Sequence, residues 1–159
     1  MIVLIISVSL FVELSNSDKK RKAFTKDLEF TNTNFIEVDT QKMQGWVYST
    51  HGIRDKGVLI FDNVVFHTDN IDSLRGKKGK YRNDVLYLDG DVVMEENEGY
   101  TYTTQHANYN QKTEILKITS PYTAVKGKDV MKGKSLRYNT VKKEAYGTRV
   151  DAVIYTIEK

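Results

Sequence analysis

The chain has 159 residues, with no cysteine, one proline and ten tyrosines; 40% are hydrophobic and 28% charged, and 24 bases against 21 acids leave a formal net charge of +3. That length buries one core without disulfides or metal, and the balance of apolar and charged residues excludes disorder and a polytopic membrane protein. Lack of cysteine excludes zinc–thiolate sites, iron–sulfur clusters, thiol catalysis and a lipidated N-terminal cysteine, while the charge is too mild to argue for nucleic acid.

Residues 1–14 (MIVLIISVSLFVEL) are almost continuously apolar. The stretch is shorter than the roughly 20 residues of a spanning helix, has no positive charge before it and has no small-residue cleavage site behind it. It is expected to be a membrane anchor missing its first residues, followed by a polar, basic linker over 15–28. The competing reading, a buried strand, is weakened by the polar segment from Ser15 to Lys22. The basic run Lys19 to Lys22 follows the apolar stretch, which works against an anchor with its N-terminus in the cytoplasm.

From residue 29 to 158 the hydrophobic pattern has period two, and no window shows an amphipathic helix. Segments such as Val85 to Leu88, Tyr100 to Thr104 and Ala152 to Ile157 are rich in β-branched and aromatic residues. Turn signals separate them, at Asp55-Lys56-Gly57, Asn83-Asp84, Asp89-Gly90, Asn110 to Lys112, Lys126 to Asp129 and Asn139-Thr140. The strands repeat. Ile53, Tyr81, Tyr109 and Tyr138, each at a strand end before a polar turn, are spaced by 28, 28 and 29 residues. A fixed period of this size predicts stacked β units sharing one core. Alternation then puts Leu86, Leu88, Val92 and Met94 on one inward face and Asp89, Asp91 and Glu95 on the other.

Candidate chemistry is sparse. Gly127 to Ser135 has five residues between its glycines where a P-loop has four, and a strand pattern rather than a helix follows it. His51, His67 and His106 lie on separate strands without ligand spacing. Glu95, Glu96 and Glu98, with Asp89 and Asp91, form an acidic patch lacking the alternation and glycine of a calcium loop. No serine sits in a nucleophile elbow. The expectation is a protein with no catalytic residue, no metal and no cofactor. Two basic groups, Lys77 to Arg82 and Lys132 to Arg137, read either as charged edges that discourage aggregation or as the rim of an opening that meets anionic groups.

The order of four pieces is more specific than any one of them: Tyr81-Arg-Asn-Asp-Val-Leu-Tyr-Leu-Asp-Gly-Asp-Val92, Ala107-Asn-Tyr109, Met131-Lys-Gly-Lys-Ser-Leu-Arg-Tyr138 and Arg149-Val-Asp-Ala-Val-Ile154. Together they resemble the LptC family, the inner-membrane-anchored component of lipopolysaccharide export in Gram-negative bacteria, over residues 29–157. Short strings also resemble the periplasmic bridge LptA; the apolar N-terminus and the end of the chain soon after the fourth repeat favour LptC. The resemblance implies a twisted, open β-jellyroll of two antiparallel sheets forming a trough for the acyl chains of lipopolysaccharide. It implies a domain in the periplasm, anchored in the inner membrane by a single pass. It also implies docking of the N-terminal edge on the LptBFG ABC transporter and of the C-terminal edge on LptA. Ser120-Pro121 departs from the family pattern, and a proline there fits only a strand edge or a turn.

The expected lipid-facing residues are Ile60, Tyr81, Leu88, Val92, Met94, Tyr109, Ile118 and Tyr138. Ile60 has Leu59 and Phe61 as rivals, because its repeat carries a different turn spacing. The expected partner edges are Phe30, Phe35, Ile36 and Val38 at one end and Val150, Ala152 and Ile154 at the other. A soluble LptA-like bridge and a β-sandwich glycan-binding module or hydrolase are the alternative functions.

Overall fold

The structure, a computed structural model, describes residues 28–38, 43–97 and 99–156, with the backbone alone at Glu37, Val38, Met43 and Gln44. The expected anchor and linker over 1–27 lie outside the described residues. Twelve strands follow in chain order: β1 (Leu28–Val38), β2 (Met43–Asp55), β3 (Val58–Thr68), β4 (Ile71–Arg82), β5 (Val85–Glu95), β6 (Thr101–Asn110), β7 (Ile115–Ile118), β8 (Tyr122–Lys126), β9 (Asp129–Gly133), β10 (Ser135–Asn139), β11 (Glu144–Thr148) and β12 (Asp151–Val153). All pairings are antiparallel and mostly between chain neighbours, because short turns join them. Lys56-Gly57 (φ 48° and 77°) and Asn83-Asp84 (φ 50° and 61°) close two-residue hairpins whose positive φ values match the twist of the flanking strands.

The strands form one continuous sheet rather than the two sheets expected. Its order runs from β1 to β6 and then divides, β7-β10-β11 continuing one branch and β8-β9-β12 the other. A line of irregularities crosses the long strands near their middle and continues through the breaks between the short ones. It includes positive φ at Asn32 (46°), Asn63 (50°), Gly90 (80°), Asp91 (46°) and Arg149 (50°). On β5 one extra residue opposes β6 between Asp89 and Val92, a bulge that sharpens the local bend. Along this line β6 passes from pairing with β7 over 107–110 to pairing with β8 over 101–104. Pro121 sits in the break between β7 and β8, where no ladder hydrogen bond is asked of it.

The bend folds the sheet into two walls whose inner faces meet. Phe61, Leu86, Leu88, Tyr109, Leu116, Ile118, Leu136 and Tyr138 come from one wall; Phe66, Leu74, Val92, Met94, Tyr102, Tyr122 and Ala124 come from the other, and all are buried. Ring pairs span the gap: Phe35–Phe61 at 5.7 Å, Phe66–Tyr109 at 5.5 Å and Tyr102–Tyr138 at 5.9 Å between centroids.

The spacing argument misplaced Ile60. Tyr81, Leu86, Tyr109, Leu116 and Tyr138 lie in one inward row, and the member contributed by β2 is Arg54, not Ile53. Because the Lys56-Gly57 and Asn83-Asp84 turns are both two residues long, Leu59 and Phe61 take the inward positions and Ile60, at 37% exposure, faces out beside Lys80.

Candidate functional site

The interior between the walls is the one extended apolar surface that the described residues build, and its middle is dry. Leu88, Val92, Met94, Tyr109, Ile118 and Tyr138, all expected inward, are 1–3% exposed, and Tyr81 packs against them from the margin. Phe61, one of the two rivals of Ile60, is equally buried, as are Tyr102 and the Ile71–Leu74 pair, which the expected set did not include. The interruption of alternation at the bend hides them: Phe61 and Val64 are three residues apart yet share the interior.

Polar groups are confined to the margins of this interior. On the side opposite the bend, the walls are tied by a few contacts. The Tyr109 hydroxyl lies beside Thr140 on its own wall and Thr68 on the other, and Lys143 Nζ donates to the Asn70 carbonyl oxygen at 3.3 Å. Glu96 brings its carboxylate beside the hydroxyls of Tyr102 and Tyr138, although its Oε1 is buried with no well-formed hydrogen bond. Burial, and then the Glu96 charge, push both phenols well above the usual value of 10; burial alone raises Tyr122. The phenols therefore stay neutral at physiological pH, and the interior keeps an uncharged lining.

At the bend the Ser120 hydroxyl accepts from the backbone N–H of His106 at 2.9 Å and of Gln105 at 3.3 Å, and meets Thr104 Oγ1 at 2.7 Å. These bonds satisfy β6 donors where it changes partner, which accounts for a serine beside the proline. The histidines stay on the outer surface. His51 bridges Glu29 (2.9 Å) and Asp62 (3.3 Å), His106 meets Asp89 at 2.6 Å, and His67 stacks on Trp46 at 3.9 Å between ring centroids.

The two ends of the sheet differ. At the N-terminal end Phe30 and Phe35 turn into the interior, with rings 4.6 Å apart edge to face, and Ile36 is exposed; the side chain of Val38 lies outside the described residues. At the C-terminal end β11 and β12 are exposed on both faces. Ala145 and Gly147 stand opposite the inward Tyr138 and Leu136, and Ala152 stands opposite Met131. The interior thus opens at this end onto small side chains, with Val150 and Ile154 exposed at 42% and 52%. Among the described residues, β11 pairs only with β10 and β12 only with β9.

The family model for lipopolysaccharide-assembly, LptC-related proteins matches residues 1–146. The chain belongs to the LptC family. No curated protein matches it. Among solved structures, it is similar to LptH, described as the LptA-homologous periplasmic component of the lipopolysaccharide transport device of Pseudomonas aeruginosa. The TM-score is 0.57 at 12% identity, over 81% of this chain and 94% of that one. At that identity the likeness is one of fold: an all-β, open antiparallel sheet of the LptA type. Membership of the LptC family gives the chain its place among lipopolysaccharide transport proteins that face the periplasm. No helix among the described residues is long and apolar enough to cross a membrane.

Proposed function

We propose that the chain is a non-enzymatic lipid relay, receiving lipopolysaccharide from the LptBFG ABC transporter and passing it to LptA, with residues 1–14 anchoring it in the inner membrane. The observation that carries this reading is the apolar interior between two walls of one sheet, open at its C-terminal end. Acyl chains gain about 0.8 kcal/mol per buried CH₂, so such a lining binds a lipid without any reacting group. The middle of the interior is packed, so a lipid must part the walls there. The side opposite the bend is the natural place, since only a few polar contacts tie the walls there. In this reading Tyr81, Leu88, Val92, Met94, Tyr109, Ile118 and Tyr138, with Phe61 in place of Ile60, meet the acyl chains.

Unpaired backbone groups on β11 and β12 offer LptA a strand to extend, and the outer edge of β1 offers the same to the transporter. The likeness to an LptA homologue supports a second reading, a soluble bridge in the same pathway; detection of residues 1–14 in the mature, membrane-bound protein separates the two.

The test is photocrosslinking in cells from a probe at Leu88, Met94 or Tyr109, with Tyr87 on the outer face as control, followed by blotting for lipopolysaccharide. Adducts are expected from the three inward positions and not from Tyr87. Equal labelling from Tyr87, or none from the inward positions in a folded protein, overturns the reading.

A further inference from the structure

The outer face of the wall built from β4, β5, β6, β7, β10 and β11 carries an arrangement that the interior does not explain. One cross-strand row there reads Lys80, Tyr87, Asn108, Lys117, Arg137, Tyr146. Lys117 and Arg137 are directly opposite one another. Like charges in that position destabilise a sheet pair, and sequence alternation alone does not require them. No acid in the row offsets them. Among the described residues neither cation is in an ion pair; of the acids in the flanking rows, Asp89 holds His106 at 2.6 Å, and Glu144 at the sheet edge is diagonal to Arg137 but not paired with it.

The two cations border a hollow of about 370 Å³, whose other walls include Tyr87, Asn108, Asn110 and Thr113. Tyr87 is 45% exposed and offers a ring face, while the amides and the threonine hydroxyl supply neutral donors. A guanidinium fork and an ammonium on side chains that line one hollow are the donor set for a doubly or singly charged oxyanion.

We propose that this outer hollow binds the phosphate group of a phosphate ester. Arg137 and Lys117 hold the oxygens, Asn108 and Asn110 bond the adjoining group, and Tyr87 covers its apolar side. The site is on the face of the wall opposite the lipid-lined interior, and the proposal does not rest on the lipid-relay reading. The phosphate of a soluble sugar phosphate and that of a lipid headgroup share this chemistry.

The test is a titration of the ¹⁵N-labelled full chain, at constant ionic strength, with inorganic phosphate, glucose 1-phosphate and glucose. Dihexanoyl phosphatidylglycerol and dihexanoyl phosphatidylcholine, both below their micelle-forming concentrations, are titrated in parallel, because vesicles would also take up the apolar residues 1–14. Saturable shifts of the amides of Tyr87, Asn108, Lys117 and Arg137 with glucose 1-phosphate, and not with glucose, are expected. Arg137→Gln and Lys117→Gln are each expected to weaken the binding about tenfold, as loss of one charge-assisted hydrogen bond does. They are also expected to leave the melting temperature unchanged or raised, because the repulsion is relieved. Saturable shifts with dihexanoyl phosphatidylglycerol, at lower concentration than with glucose 1-phosphate and abolished in these two variants, assign the phosphate to a lipid headgroup; their absence beside saturable glucose 1-phosphate binding assigns it to a soluble ester. Shifts that fail to saturate, that spread over unrelated surface lysines, or that survive both substitutions overturn the site.

Discussion

Gly52 shows how one missing side chain shapes the N-terminal end of the interior. A methyl group there would overlap the Phe30 ring and come within 2.9 Å of the Ile60 carbonyl oxygen. The glycine therefore lets the ring lie flat on β2 and close the interior beside Phe35 and Phe61. Gly52→Ala is expected to destabilise the fold by about 1–3 kcal/mol, as overpacking does. Part of that loss is expected to return in Gly52→Ala/Phe30→Ala, a coupling that urea denaturation of the double-mutant cycle measures.

Outside the same wall, His51 joins β1 to β3 through Glu29 and Asp62. The hydrogen bond to Glu29 raises its pKa above the usual 6.5, burial opposes the rise and Asp62 adds to it. A raised pKa means that the charged histidine's contribution is complete below about pH 6.5 and is lost as pH climbs through the raised value. Asp62 is lowered, by Lys78 first, with burial opposing and His51 adding; its contribution is complete above the ordinary carboxylate range and is lost on acidification through the lowered value. The melting-temperature difference between the wild type and His51→Gln is thus expected to be largest near pH 6 and to shrink towards pH 8.5. A difference that grows with pH removes the charged bridge from the account.

At the scale of elements the deciding feature is the transverse bend. Strands of 10 to 13 residues from β1 to β6 run through both walls, so the two faces of the interior are covalently one piece. Asn63 carries the turn on β3 with φ 50° and donates its Nδ2 to Thr50 Oγ1 at 3.1 Å. Asparagine tolerates the left-handed region and glycine enters it freely, whereas a β-branched residue is a steric outlier there. Asn63→Val is expected to cost about 1–2 kcal/mol in backbone strain, and Asn63→Gly much less; urea midpoints of the two variants decide the order.

The bend also sets how much of the fold was legible. Hairpin turns announce themselves chemically, through Lys56-Gly57 and Asn83-Asp84, and the inward face of β5 follows from alternation on either side of the bulge, because Leu86, Leu88, Val92 and Met94 keep one parity through it. On β3 and β4 the bend shifts the parity instead. Phe61 and Val64 on β3, like Gly76 and Gly79 on β4, are buried three residues apart, and no local pattern says where such a shift falls. Ile60 went astray for a different reason: anchoring the repeat on the apolar Ile53 hides the fact that the charged Arg54 occupies the inward row at the margin.

At the scale of the whole molecule the two ends of the sheet are unequal, and the inequality has a direction. Aromatic rings close the N-terminal end from within, while the described C-terminal end finishes in two short strands exposed along their whole length. Every described residue from Val141 onwards is exposed, so β12 adds almost nothing to the core. Among the described residues, β12 and the segment after it are held by pairing with β9 over three residues, by the Tyr155 N–H donating to Asp129 Oδ1 at 2.9 Å and by Lys128 Nζ over the Tyr155 ring at 5.9 Å. An exposed edge of this kind is an aggregation hazard unless something covers it, and under the relay reading the occupant is a strand of LptA. Deleting residues 149–159 is therefore expected to leave the melting transition cooperative and nearly unshifted, because none of the described side chains it removes is buried. The same deletion is expected to abolish capture of LptA while leaving association with the transporter intact. The melting curve and the pull-down have to be made on the same preparation. A folded truncation that still retains LptA at unchanged affinity moves the partner to another surface, and a truncation that unfolds shows that β12 contributes to the core after all.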